Sequence, residues 1–118
     1  MTHVPRSAAA TGPAPDLVEV RTFRLVKPYR PAVFGSASRE LDTVIDRIAR
    51  QLHGSVASRR TIVVADRKSR SYRIDYDTKV QEITFVLEGR REYQLLCRRG
   101  AEDPDDACRQ LVETFALR

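Results

Sequence analysis

The stretch RSYRIDYDTKVQEITFVLEGRREYQLLC, from Arg70 to Cys97, decides the fold because its apolar and polar residues alternate. Tyr72, Ile74 and Tyr76 fall on one side of an extended chain, and the charged residues between them fall on the other. A period of two over such a length is typical of β-strands that bury one face. We therefore predict three strands here, over YRIDY, EITFVLE and EYQLLCR.

The last two of these strands are predicted to pair as a hairpin across GRR at 89–91. On each strand, three alternating apolar residues would face the first helix: Ile83, Phe85 and Leu87, and then Tyr93, Leu95 and Cys97. Two further strands are predicted over residues 17–26 and 55–65. In the first of them, a bulge near Arg21 would bring the apolar residues to one face.

Two amphipathic helices are predicted from apolar residues at helical spacing. The first begins near Ser36 or Ser38, either of which can cap it, and Gly54 can provide the left-handed residue after its end. The second begins at Asp103 and Pro104. Their apolar residues are Leu41, Val44, Ile45, Ile48 and Leu52, and then Cys108, Leu111, Val112 and Phe115.

An antiparallel sheet must have its apolar face covered, and two helices are available to cover it. The expected fold is therefore α+β in the order β-α-β-β-β-β-α, a two-layer sandwich with both helices on one face. The 118 residues allow one domain, predicted over 17–118, after a flexible arm over 1–16 that is rich in Ala, Pro and Gly.

The N-terminal residues lack the apolar core of a secretory signal, and no apolar run reaches the roughly 20 residues of a membrane span. We therefore predict a cytoplasmic protein with no membrane span. Only three of the 21 basic residues are lysine, a composition typical of high-GC bacterial genomes.

The residues with chemically active side chains do not form a recognised site. Two cysteines and two histidines have no zinc-site spacing, and there is no phosphate-binding or dinucleotide-binding glycine motif. We predict no enzyme activity, no catalytic residue, no metal and no cofactor. Cys97 and Cys108 are most simply two buried free thiols, and a disulfide that links the last strand to the last helix is the alternative.

The net charge of +5 is unevenly distributed. Basic residues gather on the second and third predicted strands and on the turn between them: Arg59, Arg60, Arg67, Lys68, Arg70 and Arg73. This basic group has three interpretations: a solvated surface, a site for an acidic protein partner, or a nucleic-acid site. Tyr29 and Phe34, in a proline-rich connection, either pack on the core or form an exposed docking loop.

Three fragments together resemble the PsbP-like superfamily: YRIDY, ITFVLEGRREYQLL and DACRQLVETFAL. The resemblance covers about Phe34 to Leu117, and DRIARQLHGSVASRRTIVV is similar to the helix and strand that come first in bacterial members. It departs at Ser69 and Arg70, where bacterial members often carry a glycine, and at Thr114, which stands in place of a serine. The resemblance implies a binding or scaffolding module and provides no catalytic residue.

The predicted function is therefore a non-enzymatic binding or adaptor domain that acts through protein–protein interaction or in a chaperone-like way. Its predicted partner is another protein, bound through an acidic surface or as a peptide. The alternative is nucleic-acid binding through the arginines of residues 59–73. The predicted partner-binding residues are Arg59, Arg60, Arg67, Lys68, Arg70, Arg73, Tyr29 and Phe34. The oligomeric state is left open.

Overall fold

The computed structural model describes residues 2–3 and 17–115, and it confirms an α+β fold with an antiparallel sheet and two helices. The strands lie side by side in the order β1-β2-β5-β4-β3, and all neighbouring pairs are antiparallel. Their bounds are β1 Thr2–His3, β2 Leu17–Tyr29, β3 Ser55–Val64, β4 Arg67–Tyr76 and β5 Lys79–Gly100. The helices are α1 Phe34–Gln51, which follows a 3₁₀ turn at Pro31–Val33, and α2 Asp106–Thr114.

Most of the predicted arm, residues 1 and 4–16, lies outside the described residues, as do residues 116–118 at the end of the predicted domain. The two residues of β1 pair with Val20 and Glu19 of β2.

The predicted hairpin across residues 89–91 is wrong, because β5 is one strand of 22 residues. Its first half pairs with β4, from Lys79 to Phe85, and its second half pairs with β2, from Gly89 to Arg98. Each half thus has its own antiparallel neighbour. Gly89 has a left-handed backbone (φ 57°), which makes a local irregularity inside the strand. The order of elements is therefore ββαβββα, with the two-residue β1 counted.

The irregularity near Gly89 also exchanges the faces of the two halves of β5. Phe85 packs in the cluster beneath α1, and in the second half it is Leu96 that joins this cluster. Leu95 points the other way, into the cluster beside α2. The predicted shared face of the two halves is therefore wrong, since the alternation shifts by one residue between them.

The helices cover opposite faces of the sheet, so the predicted two-layer sandwich is wrong and the fold has three layers. Neighbouring β5 residues show why: Phe85 and Val86 are both buried, and alternation sends them to opposite faces. Each apolar face then needs its own helix. The cluster under α1 contains Leu41, Ile45, Ala49, Tyr72, Ile74, Ile83, Phe85 and Leu96. The cluster under α2 contains Val64, Val86 and Leu95, with Leu111, Val112 and Phe115 packed against it.

The ends of α1 and the bulge in β2 differ from the predictions. The helix begins at Phe34 without a side-chain cap, so neither predicted serine caps it. At its other end His53 is the left-handed residue (φ 56°), and the Gly54 N–H donates to the carbonyl of Ala49 at 2.8 Å. The register of β2 against β5 shifts between Arg24 and Tyr29, not near Arg21.

Cys97 and Cys108 form a disulfide, with their Cα atoms 5.4 Å apart. Both cysteines are buried, and the bond joins β5 to α2. The interpretation of these residues as free thiols is therefore corrected. The shift of face near Gly89 is what brings Cys97 to the α2 side of the sheet.

Candidate functional site

The predicted basic group does not form one positive surface, because side chains alternate along β3 and β4. Arg59 pairs across the strands with Tyr72, which packs under α1, and Arg70 lies two residues from Tyr72 on the same face. The group therefore divides into Arg59, Lys68 and Arg70 on the α1 side, and Arg60, Arg67 and Arg73 on the α2 side.

Four of these six basic residues contact carboxylates. The ion pairs are Arg59 with Asp46 at 2.5 Å, Arg67 with Glu88 at 2.5 Å, Arg70 with Asp42 at 2.9 Å, and Arg73 with Asp75 at 2.9 Å. The Lys68 ammonium lies 5.2 Å from the centre of the Phe34 ring. Within the described ranges, Arg60 has no carboxylate within 4.0 Å. The group therefore offers an anionic partner few free charges.

A polar network joins α1 to the sheet through Asp42, which contacts side chains of both β3 and β4. Its carboxylate accepts hydrogen bonds from the Tyr72 hydroxyl at 2.5 Å and from the Arg70 guanidinium at 2.9 Å. Burial alone would raise the pKa of Asp42, but these hydrogen bonds and the charges of Arg70 and Arg59 outweigh it and lower the pKa. Burial, together with the hydrogen bond to Asp42, raises the pKa of Tyr72 to about 12. The carboxylate thus stays ionised and the phenol protonated, an arrangement that fixes α1 on the sheet.

We expect the Asp42 network to make the free energy of unfolding depend on pH. The pKa of Asp42 is lower in the folded state than its value of about 3.9 in an unfolded chain, so its contribution is present above about pH 4 and is lost on acidification. Tyr72 has the opposite sign: its contribution is present below about pH 10 and is lost as the pH rises towards about 12.

Urea denaturation of the wild type and of Asp42→Asn across this pH range measures the effect. The substitution should cost about 1 kcal/mol at neutral pH, since Asp42 is partly exposed, and nearly nothing at pH values below the folded-state pKa. Asp77→Asn, at an exposed turn residue with φ 54°, controls for the loss of one surface carboxylate because asparagine also adopts this backbone. If Asp42→Asn lowered the free energy of unfolding by the same amount at every pH, the ionised Asp42 carboxylate would not be the source of the stability.

Tyr29 and Phe34 lie at the two ends of the connection between β2 and α1, and both are half-buried. Tyr29 lines a groove of about 540 Å³ between the end of β2 and the first turns of α1, and burial raises the pKa of its hydroxyl. We call this cavity the α1 groove. Its apolar lining consists of Leu25, Pro28, Tyr29, Val33, Ala37, Leu41, Val44 and Leu87. Among the predicted partner-binding residues, Tyr29 is the one that the structure brings to this groove.

A smaller cavity of about 170 Å³ lies farther along the same side of α1, at Ile48. Its other wall is formed by residues of β2 and β5, including Leu17, Phe85 and Leu96. Both cavities have one cause: α1 lies over β3 and β4, so the β2–β5 half of this face is only partly covered by the described chain.

A second cluster was missed by the sequence-based prediction. Arg24 of β2 lies directly opposite Arg91 of β5, and the Arg90 guanidinium donates to the carbonyl of Val26 at 3.0 Å. Together with Thr22 and Phe23, these three arginines line a cavity of about 360 Å³. The only signal in the sequence is the basic residues of RTFR and GRR, and the predicted hairpin placed GRR in a turn, away from the first strand.

Neither metal binding nor membrane crossing is indicated by the part of the chain that the structure describes. Residues 2–3 and 17–115 contain no group of three or more His, Cys, Asp or Glu side chains placed to hold a metal ion. No helix over the same residues is both long and apolar enough to cross a membrane.

The comparisons with known proteins return no match. No protein-family model matches this chain, no curated protein matches it, and no solved structure matches it. The resemblance to the PsbP-like superfamily therefore stays a prediction.

Proposed function

We propose that this chain is a non-enzymatic binding domain that takes an amphipathic helix of a partner protein into the α1 groove. The observation that carries the proposal is the incomplete cover of one sheet face, where α1 leaves apolar residues of β2 and β5 beside it. An amphipathic helix has one apolar face to bury, and the α1 groove with the smaller cavity beside it exposes an apolar surface that could cover such a face.

The α1 groove and the smaller cavity together have the dimensions that a bound helix needs. The two cavities follow α1 from Ser36 to Ile48, which is about 18 Å of helix at 1.5 Å per residue. A second helix packed alongside α1, at the usual distance of about 8–10 Å between axes, would lie over the β2–β5 half of the sheet. Val33 is 45% exposed at the mouth of the groove and would gain cover from such a partner.

Charged residues of both signs line the two cavities together with the apolar residues. Lys27, Glu40 and Glu92 line the α1 groove, while Glu19 and Arg21 line the smaller cavity. An apolar centre with a polar rim is the usual anatomy of a protein interface, and rim charges set the register and orientation of the partner. We therefore expect a partner helix that carries both acidic and basic residues beside its apolar stripe.

The alternative function, nucleic-acid binding through residues 59–73, has less support from the geometry because carboxylates pair four of its basic residues. A cytoplasmic location also stays a prediction. The disulfide between Cys97 and Cys108 favours a compartment that is less reducing than the cytosol.

Photo-crosslinking in cells that produce this chain tests the proposal. The photoreactive residue p-benzoylphenylalanine is placed at Val44, inside the α1 groove, or at Val63, which is 72% exposed on the outer strand β3. We expect one discrete adduct with another protein from position 44 and none from position 63. Mass spectrometry of the adduct then identifies the crosslinked peptide, which should be helical and amphipathic.

A groove-filling substitution provides the matched variant. Ala37→Trp places a large side chain in the α1 groove and should reduce the adduct from position 44 about tenfold, which corresponds to about 1.4 kcal/mol of lost binding. Circular dichroism of the variant shows that it is folded. Equal adducts from positions 44 and 63, or an adduct made of two copies of this chain, would overturn the proposal.

A further inference from the structure

We propose that the end of the sheet at the β2 bulge attaches this chain to the surface of an anionic lipid bilayer. We call this part of the molecule the basic end, and we define it by Arg24, Lys27, Arg30, Arg90 and Arg91. The attachment is peripheral: the cations contact lipid headgroups, and the side chain of Val26 enters the bilayer interface. It does not depend on what occupies the α1 groove.

The basic end keeps its positive charge free. Residues 20–39 contain five basic residues and no Asp or Glu. Within the described ranges, none of the cations of the basic end has a carboxylate within 4.0 Å. Of the acidic residues nearby on β5, Glu88 is paired with Arg67, and Glu92 lines the α1 groove on the other face from Arg91. An anionic bilayer attracts such unpaired cations, with about a fivefold gain in affinity for each one near the surface.

The bulge in β2 carries an aliphatic side chain out among these cations. Four residues of β2, from Leu25 to Pro28, lie opposite the single residue Arg90 of β5. Val26 lies in this bulge and is 91% exposed, the highest value for any large hydrophobic residue of the described chain. The Arg90 guanidinium donates to the Val26 carbonyl at 3.0 Å, and this contact helps to hold the bulge. An apolar side chain surrounded by cations is the combination that an anionic bilayer interface accepts.

The placement of the cations distinguishes a bilayer from other anionic partners. Arg24 and Arg91 face the α2 side of the sheet, where they lie directly opposite each other, and Lys27 lines the α1 groove on the other side. The cations thus surround the end of the sheet instead of following one groove. A nucleic-acid strand or an acidic peptide would contact one side of this end and leave Val26 in water. A planar bilayer contacts both sides at once and covers Val26 as well.

The opposite end of the sheet is acidic, which sets the orientation of the bound molecule. The two ends are separated by the strand pairing from Leu17 with Arg98 to Arg24 with Arg91, or about 24 Å. The segment after β5 carries four exposed acidic residues: Glu102, Asp103, Asp105 and Asp106. Repulsion by anionic lipid keeps this segment away from the bilayer. The sheet therefore stands end-on, and the α1 groove stays accessible at its side.

Co-sedimentation with vesicles tests the attachment. We expect binding to vesicles of equal parts phosphatidylserine and phosphatidylcholine, weakened by salt between about 50 and about 200 mM, and no binding to phosphatidylcholine alone. Arg24→Gln with Arg91→Gln removes two exposed cations of the basic end and should lower the affinity more than about tenfold. The matched control, Arg47→Gln with Arg50→Gln on α1, removes the same charge elsewhere and should change the affinity less than about twofold.

Tryptophan fluorescence tests the position of residue 26. The chain contains no tryptophan, so Val26→Trp introduces a single emitter at an exposed residue outside the core. On vesicles that contain phosphatidylserine, its emission should shift to shorter wavelength, and lipids with brominated acyl chains should quench it about twofold or more. Val63→Trp, at a residue 72% exposed on the outer strand β3, is the control and should show neither change.

Four results would overturn the proposal. The first is no co-sedimentation at the lowest salt, and the second is an equal loss in the two double variants, which would report net charge alone. The third is vesicle binding without quenching of the tryptophan at position 26, because the bulge would then stay outside the bilayer. The fourth is a labelled single-stranded oligonucleotide that loses affinity in the Arg24 and Arg91 variant while vesicle binding does not change, which would assign these cations to nucleic acid.

Discussion

Replacement of both Cys97 and Cys108 by alanine is expected to lower the free energy of unfolding by about 3 kcal/mol, the value for a loop of this length. The disulfide closes a loop between residues 11 apart and so restricts the unfolded chain. It also holds α2, which has only nine residues and is too short to be stable alone. Without the bond, we expect α2 to separate from Val86 and Leu95 before the rest of the fold is lost.

Urea denaturation followed by circular dichroism, with and without reductant, measures this effect. Reductant should shift the wild-type midpoint to that of the double alanine variant and should not shift the variant itself, which is the control. Hydrogen exchange should show the earliest loss of protection in Asp106–Thr114. Free thiols that titrate in unfolded, unreduced protein would contradict the disulfide.

Helices and strands could be predicted from the sequence where the local pattern of apolar residues is enough to identify them. The amphipathic spacing of Leu41, Ile45 and Ile48 correctly predicted α1, and alternation predicted strands over 55–65 and 72–76. The second of these strands begins earlier than predicted, at Arg67, because the segment before Tyr72 pairs with β3 instead of forming a longer turn. Local periodicity is enough here because each element has one face against the core. The α+β class and the antiparallel sheet were therefore confirmed.

The choice of strand partners could not be predicted in the same way. A hairpin and a single long strand have the same alternation over residues 82–98, and they differ only in whether Gly89 turns the chain or bends it. The answer depends on β2, which lies about 70 residues earlier and pairs with the second half of β5. The change of face in β5 near Gly89 could not be predicted either, because it also depends on the pairing with β2. Without that change, there was no reason in the sequence to expect one helix on each face of the sheet.

The candidate sites were hard to predict for a related reason. Counting charges identified six basic residues, but ion pairing depends on carboxylates that are distant in sequence, such as Asp42 for Arg70 and Glu88 for Arg67. Arg24 and Arg91 lie on separate elements and become neighbours only through the β2–β5 pairing. The density of charged residues along the sequence therefore overestimated the free positive charge of residues 59–73. It also missed the cluster of Arg24, Arg90 and Arg91.

Gly54→Ala is expected to lower the free energy of unfolding by about 2–3 kcal/mol through overpacking against β4. A Cβ atom at this position would lie 2.5 Å from the carbonyl oxygen of Asp75 and 2.7 Å from the Cβ of Tyr76. These atoms belong to the backbone and to the base of a side chain, so they cannot move unless the strand itself shifts. The cost arises from space, since the left-handed residue at the end of α1 is His53.

Gly35→Ala is the matched control, because a Cβ atom there would have no neighbour within 4 Å and the residue lies in the first turn of α1. This substitution should be neutral or should stabilise the protein by up to about 1 kcal/mol, since alanine restricts the unfolded chain and favours a helix. Urea denaturation of the two variants should therefore give changes of different size, and of opposite sign where Gly35→Ala stabilises. Equal costs would show that the close approach of Gly54 to β4 is wrong. A large cost at Gly54 alone would confirm that the connection between α1 and β3 packs tightly against Asp75 and Tyr76.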